Sequence, residues 1–219
     1  MKTTAQQHDN RPTLASLRSL VPSRALCFAE ALRLADLQAT KLRTLLDITD
    51  DAFPEDAIAD LPRIRIVRRR IPTSGMSYWD GQEWIIALNS REPEARQRFT
   101  LLHEYKHIVD HGRTDRLYTG TRSTTAEKQA EQVADYFAGC ALMPRVLVKR
   151  AWTTGHQTPE ALADIFQVSP RAAEVRVTQL GLTDPTPRCQ AATSPTWGRG
   201  TPRRYFRTAA VPQPEWSFA

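Results

Sequence analysis

The residues of this chain best suited to chemistry are two histidines four positions apart, His103 and His107, with a glutamate directly after the first. On a helix, residues at this spacing lie on one face, so both imidazoles can reach one zinc ion at roughly 2.0–2.1 Å. Glu104 leaves the helix about 100° round from His103 and can hold a water beside the metal without being a ligand. The motif therefore predicts a zinc site, against the alternative of a solvated helix that carries two histidines.

A second helix is predicted shortly after the motif. Thr124 and Glu127 have the spacing of a capping box, with Thr124 as the N-cap. The helix should then run from Glu127 to Met143 and stop before Pro144, which cannot continue it.

Two carboxylates of this second helix, Glu131 and Asp135, lie four residues apart at the edge of its apolar stripe. A half-buried acid is costly without a partner. A zinc ion for Glu131 and an imidazole N–H for Asp135 would supply both partners. The alternative is that both are ordinary surface acids. Glu127 is a rival ligand, but capping explains it better.

The order His103-Glu104-x-x-His107, then Glu131-x-x-x-Asp135, resembles the gluzincin pattern of thermolysin-like metallopeptidases. More narrowly, residues 24–182 resemble the ImmA/IrrE family of bacterial and phage metallopeptidases. The matching text lies in five segments: 98–107, 134–138, 142–144, 162–169 and 180–182. The resemblance implies that His103, His107 and Glu131 bind Zn²⁺ and that Glu104 is the catalytic base. Lys106 departs from the family, since many members carry glycine there.

The resemblance also implies a fold and a role. The fold would be α+β, a zincin-like domain whose small sheet packs on the active-site helices, followed by a helix-turn-helix-like unit. The role would be a zinc endopeptidase that cleaves a protein, expected to be a helix-turn-helix repressor of a mobile element, stress response or toxin–antitoxin locus. The alternative is a non-proteolytic regulatory or partner-binding protein of the same fold, either DNA-binding or one component of a toxin–antitoxin pair.

Four regions are expected along the chain: a flexible N-terminus (1–22), the metallopeptidase domain (23–152), the helical unit packed on it (153–183), and a Pro- and Arg-rich disordered tail (184–219).

The predicted sheet begins with a half-exposed strand at 63–68, where arginine and aliphatic residues alternate. Asp80-Gly81-Gln82 suits a hairpin turn between residues 76–79 and residues 84–89. We expect residues 84–89, or their neighbour, to pair with an extended substrate.

Three further residues near the motif carry side chains that could take part in chemistry. His111 lies four residues beyond His107, but one straight helix cannot bring three histidines at this spacing onto one ion, so His111 should be structural or support the ligands. Either Tyr118 or Arg122, in the loop between the two helices, could stabilise an oxyanion, and their spacing does not choose between them.

The helical unit is predicted to begin with Thr158 as a cap and to end with a helix at 170–180, closed by Gly181. Two short helices with a tight turn resemble a DNA-binding helix-turn-helix. Because the second helix carries little positive charge, packing is favoured over nucleic-acid binding.

Composition and charge limit the partners and the cell compartment that we expect. The 219 residues have a net charge of +6, and the five arginines and one glutamate of residues 188–219 supply +4 of it. The main body is therefore nearly neutral, which does not favour nucleic acid as a partner. No apolar run reaches the about 18 residues of a membrane span. The polar N-terminus and the three widely spaced cysteines predict a cytoplasmic protein with reduced thiols.

Overall fold

The structure is a computed structural model and describes residues 12–182. This part of the chain has the predicted α+β class, with the following elements in order: α1 (Thr13–Arg18), α2 (Phe28–Leu45), α3 (Asp56–Ala59), β1 (Ile64–Arg69), β2 (Gly75–Trp79), β3 (Trp84–Asn89), α4 (Glu94–Asp110), α5 (Thr114–Leu117), α6 (Ala126–Leu142), α7 (Arg145–Thr153), α8 (Pro159–Phe166) and α9 (Pro170–Gln179).

The three strands form one sheet in the order β1-β3-β2. β2 and β3 are antiparallel, as the predicted hairpin requires, whereas β1 runs parallel to β3. The central position of β3 corrects one expectation: residues 84–89 are paired on both sides and cannot accept a substrate strand. Their neighbour β2 keeps one free edge, because a strand at the side of a sheet has backbone groups without a partner.

Alternate residues of β2 point to opposite faces of the sheet. Gly75 and Ser77 face α4, which covers one face, while Met76 and Tyr78 lie exposed on the other. A Cβ built on Gly75 would come within 2.4 Å of Cγ2 of Thr100, so glycine is needed for this close approach of β2 to α4.

Helix α4 lies between the sheet and α6, and α2 packs against α6 in turn. α4 begins after Pro93 with Glu94 in its first turn, where a proline suits the start of a helix and a carboxylate favours its positive end. Its apolar face buries Leu101, Leu102, Tyr105, Ile108 and Val109. This packing fixes the rotation of α4 about its axis, and therefore which way the motif histidines point.

Helix α6 ends at Leu142, ahead of Pro144, as predicted, but the predicted cap is wrong by one residue. The N-cap is Thr125, whose hydroxyl accepts a hydrogen bond from the backbone N–H of Lys128 at 3.2 Å. Thr125 is extended (φ −70°, ψ 163°), which lets its side chain turn back to the first helical N–H groups. Glu127 stays in the first turn, exposed, where a hydrogen bond with its own backbone N–H and then one with Thr125 lower the pKa of its carboxyl.

The first helix differs from expectation. Residues 13–18 were expected to be flexible, but Leu17 is fully buried and the Arg18 guanidinium donates hydrogen bonds to the carbonyls of Ile108 and Val109. These two carbonyls lie in the last turn of α4, where carbonyls lack the usual donor one turn on, and Ile108 also accepts from the backbone N–H of His111 at 3.3 Å. Arg18 of α1 therefore caps α4. Residues 1–11 and the predicted tail 184–219 lie outside the described residues.

Helix α8 has the predicted cap, Thr158, and α9 is capped by Ser169. Both helices share the core of the preceding helices through residues such as Leu162, Phe166 and Val177. Arg176 of α9 is 1% exposed, and its Nε donates to the carbonyl of Met143 at 2.9 Å. Arg176 is therefore used inside the protein and is not available on the surface of α9.

None of the helices within residues 12–182 is long and apolar enough to cross a membrane.

Candidate metal centre

Three side chains from α4 and α6 converge on one point. The Nε2 atoms of His103 and His107 are 3.1 Å apart. A Glu131 carboxylate oxygen lies 3.2 Å from Nε2 of His103, and the other lies 3.3 Å from Nε2 of His107. One donor atom from each residue lies within 4.8 Å of the other two, so these three residues could hold a metal ion together.

The distances between these donor atoms fit a tetrahedral metal. Metal–ligand bonds of about 2.0–2.1 Å at tetrahedral angles separate neighbouring donors by about 3.3 Å. The two imidazole nitrogens, 3.1 Å apart, match this value, and each also lies 3.2 or 3.3 Å from a different oxygen of Glu131. Two imidazoles and one carboxylate are also a donor set that zinc accepts, and three protein ligands leave one coordination position open.

The electrostatics of the three residues favour a positive charge at this point. Burial alone would lower the pKa of His103, but its contacts with Asp135 and Glu131 outweigh burial and raise the pKa to about 9. Hydrogen bonds with His103 and then His107 hold the pKa of Glu131 well below its usual range. Either protons or a metal ion can supply the charge, and they compete for the same nitrogens.

Asp135 lies behind His103, on the side away from the convergence point. One of its carboxylate oxygens is 2.8 Å from Nδ1 of His103. A carboxylate in this position keeps the proton on Nδ1 and leaves Nε2 free to bind a metal. The side chain of Asp135 is 24% exposed, so the contact is partly shielded from water.

Glu104 has a partner that the sequence did not indicate. The hydroxyl of Ser77, on β2, donates a hydrogen bond to Oε2 of Glu104 at 2.8 Å. The two residues are 27 positions apart, and no spacing rule links them. The only signals for this contact in the sequence were the alternation of β2 and Gly75, two residues before Ser77 on the same face of the strand.

Beneath the centre lies a buried polar cluster, formed by Lys106, Asp110 and Tyr118. Lys106 forms an ion pair with Asp110, and the Tyr118 hydroxyl donates to the same carboxylate. Tyr118 is 4% exposed and occupied in this way, which removes it as a candidate for oxyanion stabilisation. Arg122 lies exposed on the same loop. Lys106 is 1% exposed, so it does not form part of the cleft surface.

His111 is not part of the group of three. It lies just past the end of α4, with its ring edge-on to Trp84 at 4.9 Å between ring centres.

Comparisons with known proteins agree with this geometry. Residues 62–178, more than half of the chain, match the family model described as Peptidase M78, IrrE N-terminal-like domain. Among solved structures, a "Mycobacterium tuberculosis transcriptional regulator" is similar, with a TM-score of 0.50 and 14% identity. The match covers 76% of this chain and 51% of that one, so this chain spans about half of its length. At this identity, the similarity concerns the fold alone. No curated protein matches.

Proposed function

Because the chain belongs to the peptidase family that has the IrrE N-terminal-like domain, we propose that it is a zinc-dependent endopeptidase that hydrolyses a peptide bond in a protein. The observation that carries this proposal is the convergence of His103, His107 and Glu131, at tetrahedral donor spacing, beside Glu104.

In this proposal His103, His107 and Glu131 hold the zinc ion, and Asp135 orients His103 through Nδ1. A zinc ion at such a site polarises the scissile carbonyl and lowers the pKa of a water molecule towards neutrality. Glu104 takes the proton of the attacking water and passes it to the leaving amine. Ser77 holds the carboxylate of Glu104 in place by its hydrogen bond.

The free edge of β2 is proposed to bind the substrate. Ser77 connects this strand to Glu104, so an extended peptide that pairs with β2 would lie along the metal centre. The main-chain hydrogen bonds of such a pairing hold any sequence, while Met76 and Tyr78, 43% and 41% exposed, are available to contact substrate side chains.

The substrate is proposed to be a helix-turn-helix repressor of a mobile element, stress response or toxin–antitoxin locus, as the family resemblance implies, with cleavage in the cytoplasm. Residues 23–152 would be the peptidase domain, and residues 153–183 a helical unit that packs on it. The burial of Arg176 supports packing rather than DNA reading for this unit.

The test combines metal content with proteolysis. Purified wild type and Glu104→Gln are analysed for bound zinc. Each is then incubated with the repressor whose gene lies nearest to the gene of this protein. We expect about one zinc per chain in both proteins and cleavage by the wild type alone. Cleavage by Glu104→Gln would contradict the role of the base, and the absence of zinc from both would overturn the mechanism.

A matched pair on α6 tests the third ligand. Glu131→Gln should lose zinc, whereas Glu127→Gln, one turn earlier on the same helix and outside the group of three, should retain it. Zinc bound by Glu131→Gln as tightly as by Glu127→Gln would contradict Glu131 as a ligand.

Zinc bound by the wild type and by Glu104→Gln, with cleavage by neither, would favour a non-proteolytic regulatory or partner-binding protein.

A further inference from the structure

A cavity of about 830 Å³ lies away from the metal centre, between α1, the C-terminal end of α4 and one end of the sheet. Its walls include none of His103, Glu104, His107 and Glu131. The volume lies within the range of small-molecule sites, which is about 300–1,000 Å³.

The walls of this cavity are positively charged. They contain three arginines and a histidine, and no aspartate or glutamate: Arg18, Arg63, Arg113 and His111. Neighbouring arginines of β1 are neutralised within the protein, since Arg65 pairs with Asp80 and Glu83, and Arg68 with Glu55. Within residues 12–182, Arg63 and Arg113 have no carboxylate within salt-bridge distance.

Two of these cations repel each other. The pKa of Arg18 is lowered, first by burial and then by the charge of Arg113. Asp110 acts in the opposite direction but more weakly, and its carboxylate is already bound to Lys106 and Tyr118. An anion in the cavity would relieve this repulsion and would be attracted by the positive charges of Arg63 and Arg113.

The same walls carry aromatic rings. Trp79 and Trp84 meet edge to face with ring centres 5.6 Å apart. The guanidinium of Arg63 lies over the ring of Trp79, 5.7 Å from its centre. Trp79 is nevertheless 43% exposed, so part of its indole surface is available to a flat ring.

We propose that this cavity is a binding site for a small anion attached to a flat aromatic ring, of the nucleoside monophosphate class. The phosphate binds to Arg63 and Arg113, and the base packs against Trp79 and Trp84. Arg18 adds its positive charge, while its Nε and Nη2 stay bound to the carbonyls of Val109 and Ile108. The site is separate from the proposed peptidase function and does not depend on it.

Calorimetric titration of the full chain with adenosine 5′-monophosphate tests the proposal, with inorganic phosphate and adenosine as the two halves of the probe. The nucleotide should bind at least about tenfold more tightly than either half, since each half makes only one of the two kinds of contact. Equal affinity for phosphate and nucleotide, or no binding of the nucleotide, would overturn it.

Matched variants localise the site. Arg113→Gln and Arg63→Gln should each weaken nucleotide binding about tenfold, because each removes a charge-assisted contact. Arg69→Gln changes an exposed arginine of β1 outside the cavity and should leave binding within about twofold. Similar losses in all three would show a general effect of surface charge and contradict the site.

A second measurement separates small anions from protein partners. A short peptide of aspartate and glutamate residues is titrated under the same conditions. Binding of this peptide more tightly than the nucleotide would overturn the proposal and assign the cavity to an acidic protein segment. Weaker binding of the peptide supports the proposed class.

Discussion

Two side chains at the candidate metal centre, His103 and Glu104, are each held by a residue outside the group of three. Asp135 holds His103, and Ser77 holds Glu104. One turn along α4, Asp110 binds both Lys106 and Tyr118 in the interior. Supporting contacts of this kind fix the geometry of a site, because an unsupported side chain samples several rotamers.

The hydrogen bond from Ser77 to Glu104 leads to the first prediction. Ser77→Ala should lower kcat about tenfold with KM and zinc content nearly unchanged, since the base loses the donor that orients it. Steady-state kinetics and metal analysis measure this.

The matched control is Ser74→Ala. The Ser74 hydroxyl also donates to a carboxylate, that of Glu92 at 2.7 Å, but it does not touch Glu104. An equal fall in kcat for both variants would mean that Ser77 acts only through the stability of the hairpin region.

The buried ion pair leads to the second prediction. Asp110→Ala should lower the free energy of unfolding by about 3–5 kcal/mol, because it leaves the Lys106 cation buried without a partner. Adding Lys106→Met to this variant should recover most of the loss. Denaturant unfolding measures both.

An exposed pair on α9 is the control. Arg171 and Glu174 form a salt bridge with side chains 68% and 56% exposed, and Glu174→Ala should cost less than about 1 kcal/mol. If Asp110→Ala lowers the free energy of unfolding no more than Glu174→Ala does, the buried ion pair is not needed to compensate the Lys106 charge, and the prediction is wrong.

Among the elements, the contact between β2 and α4 matters most to the site. It brings Ser77 to Glu104 and leaves the other edge of β2 open. Gly75 permits the contact, since any side chain there would meet Thr100 and Glu104. If β2 moved away from α4, the hydrogen bond from Ser77 to Glu104 would therefore be lost.

Gly75→Ala is the third prediction. The added methyl group should push β2 from α4, lower the free energy of unfolding by about 1–3 kcal/mol and reduce peptidase activity. Unfolding and activity assays on the same preparation measure both effects.

Gly139→Ala on α6 serves as the comparison, because a Cβ at Gly139 meets nothing within 4 Å beyond the backbone of its own helix. Because alanine is a better helix former than glycine, this variant should raise the free energy of unfolding by about 1 kcal/mol. A stable, fully active Gly75→Ala protein would contradict the proposed role of the contact.

In the whole molecule, the candidate ligands come from two helices that share one core. His103 and His107 lie on α4 and Glu131 lies on α6, with the apolar faces of both helices buried in the same cluster. A metal ion that binds all three joins the two helices in the folded state. The unfolded chain has no such site.

Zinc should therefore stabilise the folded protein, which is the fourth prediction. At free zinc about 1,000 times the dissociation constant, the gain is about 4 kcal/mol. Thermal unfolding with zinc and after chelation measures it. Glu127→Gln should keep this gain and Glu131→Gln should lose most of it, and an unchanged gain in Glu131→Gln would contradict the assignment of the third ligand.

The sequence alone was sufficient to predict the features that depend on neighbouring residues. The helical period places His103 and His107 on one face, Pro144 ends α6, and the turn at 80–82 forms the hairpin of β2 and β3. The same local patterns predicted the cap at Thr158. The α6 cap was misplaced by one residue because Thr124 and Thr125 are chemically equivalent, and only the backbone conformation selects between them.

Only the tertiary structure decided the features that depend on residues far apart in the chain. These include the central position of β3, the contact of Ser77 with Glu104, the occupation of Tyr118 by Asp110, and the cavity between α1, α4 and the sheet. The physical reason is that hydrogen-bonding periods and caps act over a few residues. Strand order and buried polar contacts instead follow from how whole apolar faces pack, and many different sequences satisfy the same packing.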